Sequence, residues 1–324
     1  MAPAELPLLV HGYLVQQVAV LLDGVDDLRR GDFRVVHRTR VAVRRLRSTL
    51  RTFGAQYPPH DLAGLDGELR WLAVTLGEVR DREVLRTVVD DFVSRHPVAA
   101  GLHLRETVRQ ALHRRLDAET AAHVGAVRRA LSTDRCLALL DRVGSLPGLV
   151  PALGPAFDPA LDPALDPALD HARDPITARS ILSGHEAVAR RGHVAGRRLS
   201  RAAADPAPEL LHRARKAVKR ARYAAEVVAG PALTEAVSPA QVPAPAVQAA
   251  RRFEEIQECL GRFQDLTVAR GFVADAATEE RMLADELDRL GAAMDAEAAL
   301  VRAEALELAA GHGLLARPAE VRAR

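Results

Sequence analysis

Proline stands at every fourth position from Pro147 to Pro167, and this spacing constrains the fold more than any other feature of the chain. Each proline removes an amide donor and clashes with the preceding turn, so no continuous helix can pass through the segment. Within it the tetrapeptide Asp-Pro-Ala-Leu recurs three times between Asp158 and Leu169. Such a repeat reads as a stiff, extended or turn-rich linker. The chain is therefore expected to divide into a first helical half at 1–146, a linker at 147–176, a second helical half at 177–312 and a tail at 313–324. A second Pro-rich stretch, GPALTEAVSPAQVPAP from Gly230 to Pro245, reads as a long surface loop inside the second half.

Between these interruptions the sequence reads as helix after helix. Aromatic residues make up only 3% of the chain and the apolar share is mostly Ala, Leu and Val, a mixture that favours helix over strand. Apolar periodicity places helices near 5–29, 33–53, 61–94 with a kink at Gly77, and 101–144 with a break. After the linker they fall near 177–203, 207–229, 247–275 and 279–310. A length of 324 residues exceeds what one core usually organises. The expected fold is all-α, with two antiparallel four-helix bundles. Cys136 and Cys259 are too few for a disulfide framework and read as inert core residues of a reducing compartment. The N-terminus lacks a basic leader region, and its apolar run is interrupted by His11, Gln16 and Gln17. Neither a signal peptide nor a membrane span is expected, which places the protein in the cytoplasm.

The two halves align with one another. HRTRVAVRRLRS from His37 matches HRARKAVKRARY from His212 without gaps, and LGEVRDREV from Leu76 matches LGRFQDLTV from Leu260. Two motifs recurring in the same order point to an internal duplication and hence to pseudo-symmetric bundles.

The formal charge of +2 conceals strong segregation. Seven arginines and no acid lie between Arg34 and Arg51, and six basic residues and no acid between Arg213 and Arg222. On a helical projection Arg40, Arg44, Arg47 and Arg51 gather beside His37, with Val43, Leu46, Leu50 and Phe53 opposite. His212, Arg215, Lys219 and Arg222 form the same stripe in the second copy, opposite Ala214, Val218, Ala221 and Val228. One reading of these ridges is a solvated helix face. Solvated faces usually mix signs, however, because like charges one turn apart repel. The other reading is a surface for a polyanion that neutralises the ridge. Lys216 and Lys219, the chain's two lysines, suit phosphate oxygens as compact point charges.

Each ridge carries one histidine, His37 or His212, readable as a hydrogen-bonded structural residue or as a ligand contact. Neither has a His, Cys or carboxylate at i+3 or i+4, so no metal site is expected. Asp81 and Asp265, equivalent in the repeat, read either as partners orienting ridge arginines or as exposed helix residues. Gly77 and Gly261 suit close helix approach or a kink.

At these residues the sequence resembles the CHAD family, the conserved histidine α-helical domain. The segments that carry the resemblance are VHRTRVAVRRLRSTLRTF at 36–53, LRWLAVTLGEVRDREVL at 69–85, LHRARKAVKRARYAAEVV at 211–228 and IQECLGRFQDLTVA at 256–269. The resemblance implies two pseudo-symmetric four-helix bundles whose basic helices line a shared surface or pore that binds inorganic polyphosphate. By motif position the binding residues would be His37, Arg40, Arg44, Arg45, Arg47, His212, Arg215, Lys216, Lys219, Arg220 and Arg222. Arg51 and Tyr223 join them from the ridge reading. Ala214 and Ala221 depart from the family's larger aliphatics, and no Glu-x-Glu-x-Lys triphosphatase signature occurs. The expected function is non-enzymatic binding of polyphosphate, associated with polyphosphate granules, without a cofactor. Two rivals stand beside it. One is nucleic-acid backbone binding; the other is phosphate transfer through a ridge histidine.

Overall fold

The computed structural model describes residues 5–95, 102–149, 176–205, 207–230 and 244–315. The Asp-Pro-Ala-Leu repeat and most of the second Pro-rich stretch lie outside the described residues. Every regular element among the described residues is helical. In chain order these are α1 (Glu5–Arg29), α2 (Val36–Phe53), the single turn α3 (Pro59–Leu62), α4 (Leu65–Arg95), α5 (Leu102–Leu131) and α6 (Asp134–Ser145). They continue as α7 (Ile176–Ala204), α8 (Pro208–Ala229), α9 (Ala244–Glu279) and α10 (Ala284–Gly311), with short 3-10 turns between several of them.

These helices divide between two compact units. The first takes Met1–Ala73, Leu131–Gly192 and Arg220–Arg251; the second takes Val74–Ala130, His193–Lys219 and Arg252–Arg324. Both units thus draw on sequence from before and after the Pro-rich segment. Helices α4, α7, α8 and α9 each supply residues to both.

In the first unit α1 packs on α2. The apolar stripe Val10, Leu14, Val18, Leu21, Val25 and Leu28 repeats every three or four residues and is almost wholly buried, as a helix with one core face requires. By length and composition Pro7–Arg29 is long and apolar enough to cross a membrane, which corrects the sequence expectation that no such stretch exists. The three polar interruptions are outweighed by Val and Leu, yet the stripe itself lies in the unit's core. Gly31, at φ 94°, ends α1. Its amide donates to the Leu28 carbonyl at 3.0 Å and the Asp32 amide to that of Asp27 at 3.0 Å, the paired closure that favours glycine at this position. Asp32 then caps the following turn by accepting from the Arg34 amide. The two helices pass close together at Gly24, where a Cβ would stand 2.1 Å from Thr39 Oγ1.

The break expected within 101–144 falls at Thr133, whose side chain accepts from the Cys136 amide and starts α6. Arg29 closes the other side of the break, donating from Nε and Nη2 to the Leu131 carbonyl at 3.3 and 2.9 Å. In the second unit Phe92, Leu112, Leu116, Phe253, Ile256 and Met294 lie in the core. Arg270 crosses Gly291 closely and pairs with Asp295 at 3.0 Å.

Candidate functional site

Helix α2 carries no acidic residue. Its core face is Val36, Thr39, Ala42, Val43, Leu46, Thr49 and Phe53, and the opposite side carries the ridge. His37 and Arg51 are exposed, and Arg40, Arg44, Arg45 and Arg47 are half-buried. The ridge is less uniform in charge than the sequence reading expects, because acids distant in sequence come to it within the unit. Asp27 pairs with Arg38. Asp66 accepts both Nε and Nη2 of Arg47, at 2.8 and 3.1 Å, the bidentate form that fixes a guanidinium most firmly.

Glu226 is the hub of a third cluster. Its side chain is 8% exposed and takes Arg45 at 3.2 Å and Arg222 at 2.7 Å, so one carboxylate holds an arginine from α2 and one from α8. The Tyr13 hydroxyl donates to the same carboxylate at 3.1 Å. Burial pushes the Tyr13 phenol far above its ordinary range, and the Glu226 charge adds to the effect. Burial works against the Arg45 cation, but its neighbours Tyr13 and Glu226 outweigh that and hold it more firmly protonated. Tyr223 is 8% exposed and belongs to the core beside this cluster, so it offers no ring face for stacking. Arg220 is half-buried in the same unit. Arg45, Arg47 and Arg222 are thus engaged by carboxylates, while His37, Arg40, Arg44 and Arg51 share a band about 60° wide on α2.

The remaining ridge residues, His212, Arg215, Lys216 and Lys219, belong to the second unit. There His212, Arg215 and Lys219 meet a face of α9 built from Gly261, Gln264 and Asp265. His212 Nδ1 is 3.1 Å from Gln264 Oε1. Arg215 Nη2 lies over Gly261, 3.8 Å from where a Cβ would stand. Asp265 feels Arg215 and Lys219 directly. Burial pushes its carboxyl above the usual aspartate range; Arg215 and Lys219 pull it down, Asp81 adds repulsion and Arg80 opposes that. The two acids aligned by the sequence repeat are therefore neighbours, Asp265 half-buried and Asp81 exposed. Arg80 also pairs with Glu83 at 3.0 Å. Lys216 is exposed.

Five residues at these sites escaped the sequence reading: Tyr13, Asp66, Arg80, Glu226 and Gln264. Arg80 and Gln264 occupy aligned positions in the repeated Leu-Gly motif, one residue before the aligned aspartates, and that alignment is the signal that could have found them. Glu226 follows Arg222 by one turn, and only its burial distinguishes it from an ordinary helical pair. Among the described residues no group of three or more His, Cys, Asp or Glu could hold a metal ion. A groove of about 440 Å³ in the second unit is lined by Arg82, Arg115, Glu119, His123, Phe272 and Asp275 among others, and none of its lining residues is a ridge residue.

The segments that build these clusters fall within a known domain. The sequence matches the CHAD domain over residues 12–274. The chain belongs to the CHAD family. Two solved structures share its fold. PptA from Streptomyces chartreusis superimposes with a TM-score of 0.68 at 22% identity, covering 94% of this chain and 98% of its own. The CHAD domain from the plant Ricinus communis gives a TM-score of 0.64 at 22% identity, covering 96% and 92%. No curated protein sequence matches the chain. The two likenesses establish an all-α CHAD fold for this protein.

Proposed function

We propose that this CHAD protein binds inorganic polyphosphate, without turnover, through the basic faces of α2 and α8. The observation that carries the reading is the narrow band of His37, Arg40, Arg44 and Arg51 on a helix that has no acid of its own. Side chains three and four residues apart stand about 5–6 Å from one another on a helix. That spacing suits a ligand made of repeated anionic groups. Lys216 supports the reading from α8, since it is exposed on the second basic run. The CHAD resemblance supplies the identity of the polyanion and extends the proposal to polyphosphate granules in the cytoplasm.

Nucleic acid is the second reading. Proteins that bind single strands combine basic grooves with aromatic platforms, and the one aromatic residue on the ridges, Tyr223, is buried. A ligand of phosphates without bases fits better, and duplex DNA gripped by its backbone is the form of the rival to test.

Titration of the full-length protein with polyphosphate and with duplex DNA, at matched phosphate and several salt concentrations, tests the proposal. Polyphosphate should bind more tightly, and its affinity should fall steeply with salt through counterion release. Arg40→Gln/Arg44→Gln should bind more weakly with a shallower salt slope. Equal affinity for DNA, or an affinity indifferent to salt, would overturn the reading.

A further inference from the structure

One nitrogen of the His212 ring is committed. Nδ1 lies 3.1 Å from Oε1 of Gln264, and an amide oxygen only accepts hydrogen bonds. In the neutral ring the hydrogen therefore sits on Nδ1 and the lone pair on Nε2. A phosphate oxygen is also an acceptor, so the neutral ring has nothing to offer it at Nε2. The imidazolium does: with a hydrogen on both nitrogens it can donate to phosphate and keep its bond to Gln264.

We infer that Gln264 is a positioning residue that makes phosphate binding at His212 require a proton, taken from solvent onto Nε2 and returned when the polyanion leaves. The inference rests on the polyphosphate reading above and adds regulation by pH to it. Several charged groups stand near the ring. On α8 they are Glu209 one turn before it and Arg215 and Lys216 one turn after. Asp265 stands beside Gln264 on α9, and Arg80 and Asp81 of α4 act on the Asp265 carboxyl. From α7, Arg198 reaches the Arg213 carbonyl at 3.4 Å. An arriving phosphate adds negative charge to this set and favours the imidazolium. A histidine whose ring is free to rotate could donate from either nitrogen while neutral, whereas the bond to Gln264 holds the His212 hydrogen on Nδ1.

Calorimetric titration of the full-length protein with polyphosphate of defined length, in buffers of differing ionisation enthalpy at pH 7.5, counts the protons taken up on binding. His212→Gln should remove that ring's share of the uptake and leave any share of His37. Gln264→Met should remove the same amount, because the released ring can move its hydrogen to Nε2 and donate while neutral; Gln264→Glu should also reduce the uptake, because its carboxylate favours the imidazolium before the ligand arrives. The wild-type affinity should weaken by up to about tenfold per unit rise in pH from this ring, the limit for one linked proton, and Gln264→Met should lose that portion. In the unliganded wild type, two-bond ¹H–¹⁵N spectra should show the Nδ1–H form of His212. An Nε2–H form, or uptake that Gln264→Met leaves unchanged, overturns the inference. Binding of polyphosphate without proton uptake overturns it too and leaves the proposed function standing. Failure of the wild type to bind polyphosphate overturns the function itself.

Discussion

Glu226 concentrates an unusual amount of charge at one buried point. With Arg45, Arg222 and the Tyr13 hydroxyl all on its two oxygens, removing it strands two cations in a site built around a carboxylate. Glu226→Ala should destabilise the protein by about 3 kcal/mol, the scale for breaking a buried pair from one side, seen as a lower urea midpoint. An unchanged midpoint would show that water reaches and solvates both guanidinium groups. Asp265 behaves in the opposite sense. Its carboxyl is raised by burial, so its contribution to stability is full below the ordinary aspartate range and is lost as pH rises through the raised folded value. At neutral pH the charged form is a net cost. Asp265→Asn should therefore raise the melting temperature at pH 7, with the gain shrinking and vanishing under acid conditions. It should also tighten polyanion binding by removing a negative charge beside Arg215 and Lys219. A variant that melts lower at pH 7 would mean that the pairing with those cations dominates the burial.

At the level of helices, Gly24 sets how near α1 comes to α2. An alanine there would drive its Cβ into Thr39 Oγ1, and overpacking of this kind costs about 1–3 kcal/mol. Gly24→Ala should lower stability by that amount, and Thr39→Ala on the same chain should restore part of it. Additive losses in the double variant would place the clash elsewhere. The helices themselves were legible because each carries an apolar stripe at helical spacing. The expected span 5–29 coincides with α1, and 177–203 lies within one residue of α7 at each end. Helix α4 starts four residues later than the apolar spacing predicts, since Pro59 opens a separate turn and the chain passes through Gly64, at φ 73°, before Leu65. The ridge residues were legible for the same reason as the core, by their spacing. Their partners were not. Asp66 and Gln264 lie far in sequence from the arginine and histidine they hold, as Glu226 does from Arg45, and a helical projection contains only neighbours within one helix. Tyr223 illustrates the limit: its place among basic residues suggests a surface, and its neighbours in space bury it.

Across the whole molecule, neither compact unit is drawn from one side of the Pro-rich segment. A protease site introduced between Asp158 and Asp170 tests what that interleaving means. After cleavage the two fragments should remain together through native size-exclusion chromatography and separate only in denaturant, since each unit would lose part of its core if they parted. Fragments that separate under native conditions would contradict the division. The same interleaving has a consequence during synthesis. The hydrogen bond from Tyr13 to Glu226 spans 213 residues of chain. At typical rates of translation that interval lasts roughly 10 to 40 s. For that time the nascent α1 and α2 carry Tyr13 and Arg45 without their carboxylate, and the first unit cannot close until Arg220–Arg251 has left the ribosome. Completion of the first unit is thus timed by the arrival of the later part of the chain.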